Sequence, residues 1–295
     1  MPEILVVHNT RSGASDSLDA IKKAFADQEV TPRYLVLNPT TLARQLKEAS
    51  KQPSVIIVAA GGDGTINSVA EHLSPTTPLG ILPTGTLNHF AKALNIPLDL
   101  PAAVQTILEK HHQQVDIGTV NDHIFLNNAS IGFYPRSLRI RETYDQQIGK
   151  WPAAFIGLAH VILFPRHYLV EITLKGTRQT MRTPFVFIGN NEYQRTPPDT
   201  GERAHLDSGQ LAIYILKATS HFGILRSLVH ILFTKKRRTQ DFVMHTTDTV
   251  TIRTKKQTFL AVACDGERYR MQSPLYFKSA HKQLRVIVPL KSKGA

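Results

Sequence analysis

The stretch Val55-Ile56-Ile57-Val58-Ala59-Ala60-Gly61-Gly62-Asp63-Gly64-Thr65-Ile66-Asn67 constrains this chain more than any other part of it. An unbroken apolar run bounded by turn residues reads as a strand buried on both faces. It empties into three glycines with one carboxylate among them. Bare backbone N–H groups at such a turn form an anion-binding concavity, so the first reading is a phosphate cradle. Asp63 repels phosphate unless a metal or a proton-transfer task justifies it, and both justifications point to phosphoryl transfer. The bland alternative is a strand-to-helix turn that needs positive φ.

The elements around this loop alternate. Ile4–His8 is a short apolar strand, and Leu18, Ile21, Ala24 and Phe25 follow at helical spacing. Arg33–Leu37 reads as a second strand and Thr41–Ala49 as a second helix. Ile66, Val69, Ala70 and Leu73 mark the helix opened by the glycine loop. Leu79–Pro83 is a fourth strand, followed by Thr84-Gly85-Thr86-Leu87-Asn88-His89-Phe90-Ala91. Strand–helix alternation predicts a parallel sheet that binds ligands at the carboxyl ends of its strands.

From about Val115 the rhythm changes. Val120–Asn127, Leu169–Leu174, Phe185–Gly189, Gln210–Leu216, Thr249–Arg253, Phe259–Cys264 and Gln283–Pro289 are β-rich runs, several with apolar/polar alternation. The expected organisation is an α/β domain over residues 1–118, rejoined by 282–295, and a mostly antiparallel β domain over 119–281 with helical insertions. A chain of 295 residues accommodates two such domains.

Composition narrows the partners. The net charge of +12 calls for an anionic partner, whether nucleic acid, acidic lipid or nucleotide phosphate. No nucleic-acid motif is visible, so nucleic acid is not expected. A single cysteine, Cys264, excludes an intrachain disulfide and fits a reducing compartment. The opening Met1–Val7 lacks a basic leader and reads as a first strand. No apolar run reaches the roughly 18–20 residues needed to span a bilayer, so a cytoplasmic, soluble or peripheral protein is expected.

Four segments carry a resemblance. Gly61–Asn67 resembles the signature of the diacylglycerol kinase catalytic domain family, and Leu82–Ala91 resembles its second glycine element. Asp265-Gly266-Glu267 is similar to its late acidic motif, and Asn9-Thr10-Arg11-Ser12-Gly13 to its Asn-Pro-x-Ser-Gly loop, with Thr10 in place of proline. The resemblance implies a phosphofructokinase-like N-terminal domain, a C-terminal β-sandwich and nucleotide in the cleft between them. It assigns ATP phosphates to the backbone donors of Gly61, Gly62, Asp63, Gly64 and Thr65, with the hydroxyls of Thr65 and Thr86, and places Ile66 and Gly85 among the nucleotide-binding residues. Asn67 and Asn88 would orient phosphate or metal-bound water. Asn9 would line the same edge and Leu37 would lie near the nucleotide, where a core leucine is an equal reading.

Glu267 matches the family's catalytic base, which takes the proton of a lipid hydroxyl as it attacks phosphorus. Without the other motifs, Asp265-Gly266-Glu267 would read as a hairpin turn. Asp63 is assigned to Mg2+ or nucleotide positioning. Two departures stand out. His89 replaces the aspartate of many relatives. In His205–Leu211, similar to a stretch where bacterial members hold structural magnesium, Ser208 replaces an aspartate and leaves Asp207 as the one candidate ligand, with a plain turn as the alternative.

Ala153–Phe164 is strongly apolar, and Ile224–Phe233 forms a second apolar helical face running into Lys235-Lys236-Arg237-Arg238. Apolar face plus basic cluster is the make-up of an interfacial helix. The alternative is a pair of core helices. The run Arg136–Arg141 reads as a solvated face, with a phosphate contact by Arg136, Arg139 and Arg141 as the alternative. The leading reading is thus an ATP-dependent lipid kinase working at an anionic membrane surface. An NAD-kinase-type enzyme, suggested by Gly-Gly-Asp-Gly-Thr and Asn191-Glu192, and a non-catalytic nucleotide or membrane binder are the alternatives. An exposed strand edge in the second domain would suit a homodimer.

Overall fold

A computed structural model describes residues 3–9, 15–52, 54–174, 176–194, 203, 205–217, 220–225, 242–255 and 257–290. The chain divides into two compact units, Met1–Ile117 with His281–Ala295, and Gly118–Ala280.

The first unit winds as β1 (Ile4–His8), α1 (Ser15–Ala26), β2 (Arg33–Val36), α2 (Leu42–Ala49), β3 (Ile56–Gly61), α3 (Asp63–Ala70) and β4 (Leu79–Pro83). The short α4 (His89–Ala93), α5 (Leu100–Glu109) and β5 (His112–Val120), whose last residues enter the second unit, follow. The sheet order is β2-β1-β3-β4, all parallel. β1, β3 and β4 are buried at every position, which their continuous apolar sequences require of strands covered on both faces. β2 is the exposed edge. Register aligns Val7 with Ala59, His8 with Ala60, and Gly61 with Pro83. The carboxyl ends of three strands therefore reach one edge together, and both glycine loops start there.

The second unit is a sandwich of two antiparallel sheets, as expected for its sequence. Its elements are β6 (His123–Phe125), β7 (Asn128–Gly132), α6 (Phe133–Ile148), α7 (Lys150–Leu163), β8 (Tyr168–Leu174), β9 (Thr177–Thr183), β10 (Phe185–Asn190) and β11 (Leu211–Leu216). Then come β12 (Phe242–Thr247), β13 (Thr249–Thr254), β14 (Phe259–Cys264), β15 (Glu267–Gln272) and β16 (Leu275–Ile287). One sheet runs β12-β11-β10-β7-β14-β15; the other contains β9-β8-β13 and the first half of β16. Their facing side chains, among them Ile131, Ile188, Ile213, Val262, Ile172, Ile252 and Phe277, form one core. The last residues of β16 return to the first unit, where Val286 pairs in parallel with Leu79.

Two sequence expectations change. Val120–Asn127 is not one strand: Asn121, at φ 48°, turns the chain between β5 and β6. Of Gln283–Pro289, residues 283–287 are the tail of the longer β16 and the last two lie past its end. Arg136–Arg141 lies inside α6, which buries Leu138 and leaves Arg139 exposed, in keeping with a solvated face. Of the second apolar helix, Ile224 is buried and Leu225 exposed, while 226–241, including Lys235–Arg238, lie outside the described residues. The same holds for Thr10–Gly13 of the first loop.

Candidate active site

In the first unit the two glycine elements are built against each other. A Cβ on Gly85 would stand 2.3 Å from the Gly62 Cα, and one on Gly61 would strike the Thr65 side chain at 2.4 Å. Gly85 is needed for this approach of backbone to backbone, and Gly61 for the close packing of the Thr65 side chain. Gly62 caps α3 without a side-chain hydrogen bond. Helix geometry leaves the first-turn N–H groups of Asp63, Gly64 and Thr65 without intrahelical acceptors, and the helix dipole adds positive potential there. A phosphate is the ligand such a terminus suits.

Asp63 does something the sequence did not disclose. Its carboxylate accepts hydrogen bonds from the backbone N–H of His89 at 3.1 Å and of Phe90 at 2.9 Å. It therefore caps α4 and joins the two loops. Asn88 shapes the second loop from within. Its Oδ1 accepts from Gly85 N, and its Nδ2 donates to the carbonyls of Pro83 and Gly85. Asn88 also takes the left-handed conformation at φ 51°, which asparagine tolerates better than most residues.

The expected site residues separate into groups. Thr65, Asn67 and Asn88 are buried, whereas Thr86 is exposed. Asn67 Oδ1 is a buried acceptor without a hydrogen-bond partner, the kind of orphan a ligand, a metal or its water would satisfy. Two assignments are revised. Ile66 is fully buried and its N–H closes the first turn of α3 on Gly62 O, so it offers nothing to a phosphate. The Asn88 amide is committed to its own loop. Asn9 follows β1 at the same edge, and Leu37 N donates to His8 O.

In the second unit, Asp265 and Gly266 form the two-residue turn between β14 and β15, at φ 47° and 87°. The hairpin reading is therefore correct, and it presents Glu267. Glu267 is exposed and its Oε2 accepts from the Tyr269 hydroxyl at 2.8 Å. Residues two apart on a strand share a face, so Tyr269 was recoverable once Glu267 was placed on β15. The Tyr269 ring lies 4.3 Å from that of His123.

Asp265 anchors the turn. Its carboxylate accepts from Leu126 N at 2.6 Å, Asn127 N at 2.8 Å and Asn128 N at 3.0 Å. Burial raises its pKa to about 6 against the pull of those three donors and of Arg203. Arg203 is itself buried, donating to the carbonyls of Leu126 and Asn190 and to Asn127 Oδ1, with the Tyr193 ring 5.8 Å away. Nothing local in the sequence signals this knot, because its members come from four separate segments.

At the segment considered for structural magnesium, Ser208 donates both its N–H and its hydroxyl to Asn191 Oδ1. Among the described residues no group of three or more His, Cys, Asp or Glu side chains is gathered to hold a metal. Asn191 of the Asn-Glu pair is committed to the same turn.

Comparison with known proteins agrees with this geometry. Residues 3–120 match the diacylglycerol kinase catalytic domain family. A diacylglycerol kinase of Staphylococcus haemolyticus is 44% identical over 91 residues, covering 30% of this chain and 28% of that protein. A Pseudomonas aeruginosa protein named "Probable lipid kinase YegS-like" is 37% identical over 137 residues, 44% of each chain. These matched stretches span less than half the length of the curated relatives. The whole fold is similar to that of a diacylglycerol kinase from Bacillus anthracis, with a TM-score of 0.70, 20% identity, and coverage of 98% of this chain and 97% of that one.

Proposed function

We propose that this chain, whose residues 3–120 match the diacylglycerol kinase catalytic domain family, is an ATP-dependent lipid kinase. It transfers the γ-phosphate to the hydroxyl of a diacylglycerol-like or sphingoid-like acceptor. The observation that carries this is the pair of glycine loops packed together at the carboxyl edge of a parallel sheet, with the uncapped start of α3 between them.

The first-turn N–H groups of α3 and the Thr65 and Thr86 hydroxyls hold the nucleotide phosphates, Gly85 giving them room. Asp63 and Asn88 fix the loops and Asn67 offers its orphan acceptor. The donor set fits a magnesium ion arriving with the nucleotide: Asp63 and Asn67 Oδ1 would hold it beside water and phosphate oxygens. When bound, that ion neutralises phosphate charge. Glu267 is the general base. The acceptor oxygen forms its bond to the γ-phosphorus while the bond to the ADP oxygen breaks, and the hydroxyl proton passes to the Glu267 carboxylate. Tyr269 orients that carboxylate and Asp265 anchors the turn that bears it.

The chain works as a peripheral protein at an anionic membrane surface, on the cytoplasmic side. Among the described residues no helix is long and apolar enough to cross a membrane. The test is transfer of labelled γ-phosphate from ATP to a panel of lipids in mixed micelles. Labelling of at least one lipid is expected; phosphorylation of NAD with no lipid labelled would overturn the proposal.

A further inference from the structure

α6 and α7 pack as a pair whose apolar side faces the wrong way for a core. Ala153, Gly157 and Val161, one turn apart, form the side of α7 that is buried. A Cβ on Gly157 would come within 2.6 Å of Ser137 O, so the two backbones meet there. Only small side chains face α6. The large ones face out: Trp151 is 79% exposed, Phe155 72%, Leu163 58% and Phe164 61%. From Trp151 to Pro165 there is no Asp, Glu, Lys or Arg. An unpartnered apolar strip of this kind marks an interaction surface.

The charge beside it says which kind. Arg136 donates to Phe164 O at the end of α7. Burial, with the neighbouring cations Arg166 and Arg139, holds the Arg136 guanidinium below the usual arginine range, while Tyr168 acts the other way. Arg139 stands one turn from Arg136 on α6, and Arg166 follows two residues after Phe164; Arg136 keeps donors to spare, and a set of guanidiniums suits an anion. A second copy of this face would bring arginines against arginines, in a chain of net charge +12. A phosphodiester headgroup layer above hydrocarbon offers the opposite charge and the apolar depth together.

The geometry points to the outer face of α7, with the Arg136–Arg139–Arg166 cluster at its end, as the surface by which this protein docks on an anionic phospholipid bilayer. At 14 residues α7 is about 21 Å long, too short to span a bilayer and suited to lying in its interface. Trp151 and Phe155 enter the headgroup–acyl boundary, where aromatic side chains concentrate. Arg139 and Arg166 take the phosphates. As the route to a lipid acceptor this rests on the lipid-kinase reading, but docking itself needs no turnover.

Trp151 is the chain's one tryptophan, so its fluorescence reports on this face alone. With the full chain and no ATP, vesicles containing phosphatidylglycerol should shift its emission to shorter wavelength, and brominated acyl chains should quench it. Pure phosphatidylcholine vesicles or high salt should weaken both effects. Phe155→Asp should reduce partitioning about tenfold or more, the worth of burying one aromatic side chain. Arg139→Glu should reduce it with a shallower salt dependence, and both variants should keep the wild-type circular dichroism. Vesicle binding with unshifted, unquenched Trp151 emission would overturn the proposal, as would absence of binding. So would a concentration-dependent dimer abolished by Phe155→Asp, which would make the face a subunit contact. Lipid phosphorylation in micelles with a silent Trp151 would refute the docking face and leave the kinase intact. A Trp151 shift without phosphorylation of any lipid would do the reverse.

Discussion

Asp63 and Phe90 are joined by a 2.9 Å hydrogen bond from the Phe90 backbone N–H to Asp63 Oδ1, while the His89 N–H reaches Oδ2. One carboxylate thus spans both glycine loops and supplies the cap of α4. Removing an N-cap carboxylate costs about 1 kcal/mol, and an unpaired buried donor costs about 1–3 kcal/mol. Asp63→Ala should therefore lower the midpoint of thermal unfolding by several degrees, in addition to abolishing transfer. A variant that is inactive but has wild-type stability would leave Asp63 with a ligand role and no architectural one.

Gly85 admits no side chain. The 2.3 Å separation between its notional Cβ and the Gly62 Cα, with Gly62 N at 2.9 Å, sets backbone against backbone. Gly85→Ala should force the loops apart, costing about 1–3 kcal/mol as overpacking does. It should also raise the dissociation constant for a fluorescent ATP analogue by about tenfold or more, a change of about 1.4 kcal/mol per decade. Unchanged analogue binding would detach the Gly62–Gly85 contact from nucleotide recognition.

Tyr269 restrains the carboxylate of Glu267 through its hydroxyl. Tyr269→Phe removes only that hydroxyl, and a hydrogen bond to a charged group is worth about 1.5–3 kcal/mol. The expected result is a fall in kcat of about ten- to a hundredfold, with the KM for ATP and the unfolding midpoint little changed. A change in KM alone would show that Tyr269 contacts substrate instead of orienting the base.

Asp265 should leave a signature in the pH dependence of stability. Its carboxyl is raised from 3.8 to about 6 by burial. The folded state then holds more protons than the unfolded state between those values. Its contribution to stability is fully present below the unfolded pKa and is lost as pH rises through about 6. Relative to Asp265→Asn, the natural protein should gain unfolding free energy as pH falls from 7.5 to 5. Denaturant titrations at the two pH values measure it. The opposite trend would mean that the three N–H donors from Leu126 to Asn128 outweigh burial.

How much of this the sequence disclosed depends on the range of the interaction. β1 and β3 were legible because burial on both faces leaves an unbroken apolar run, and the glycine loop because close approach admits no other residue. Asp63 was visible as a carboxylate, but its partners lie 26 and 27 residues onward. The Asp-Gly turn at 265 was equally visible. That Asp265 grips Leu126–Asn128, 137 to 139 residues away, was not. α7 could be read as apolar, yet which side it turns outward is set by α6, whose arginine-rich sequence concealed a helix that buries Leu138.

If Glu267 removes the acceptor proton during transfer from a nucleotide held by the glycine loops, turnover depends on a carboxylate at that position. The measurement that tests it is labelled γ-phosphate transfer from ATP to lipid in mixed micelles by Glu267→Gln, with ATP-analogue binding followed on the same sample. Glutamine keeps the size and an acceptor for Tyr269 but cannot take the proton. The account predicts transfer lowered by about a hundredfold or more, within the range general-base removal produces, and analogue binding unchanged. Transfer at the natural rate would contradict it.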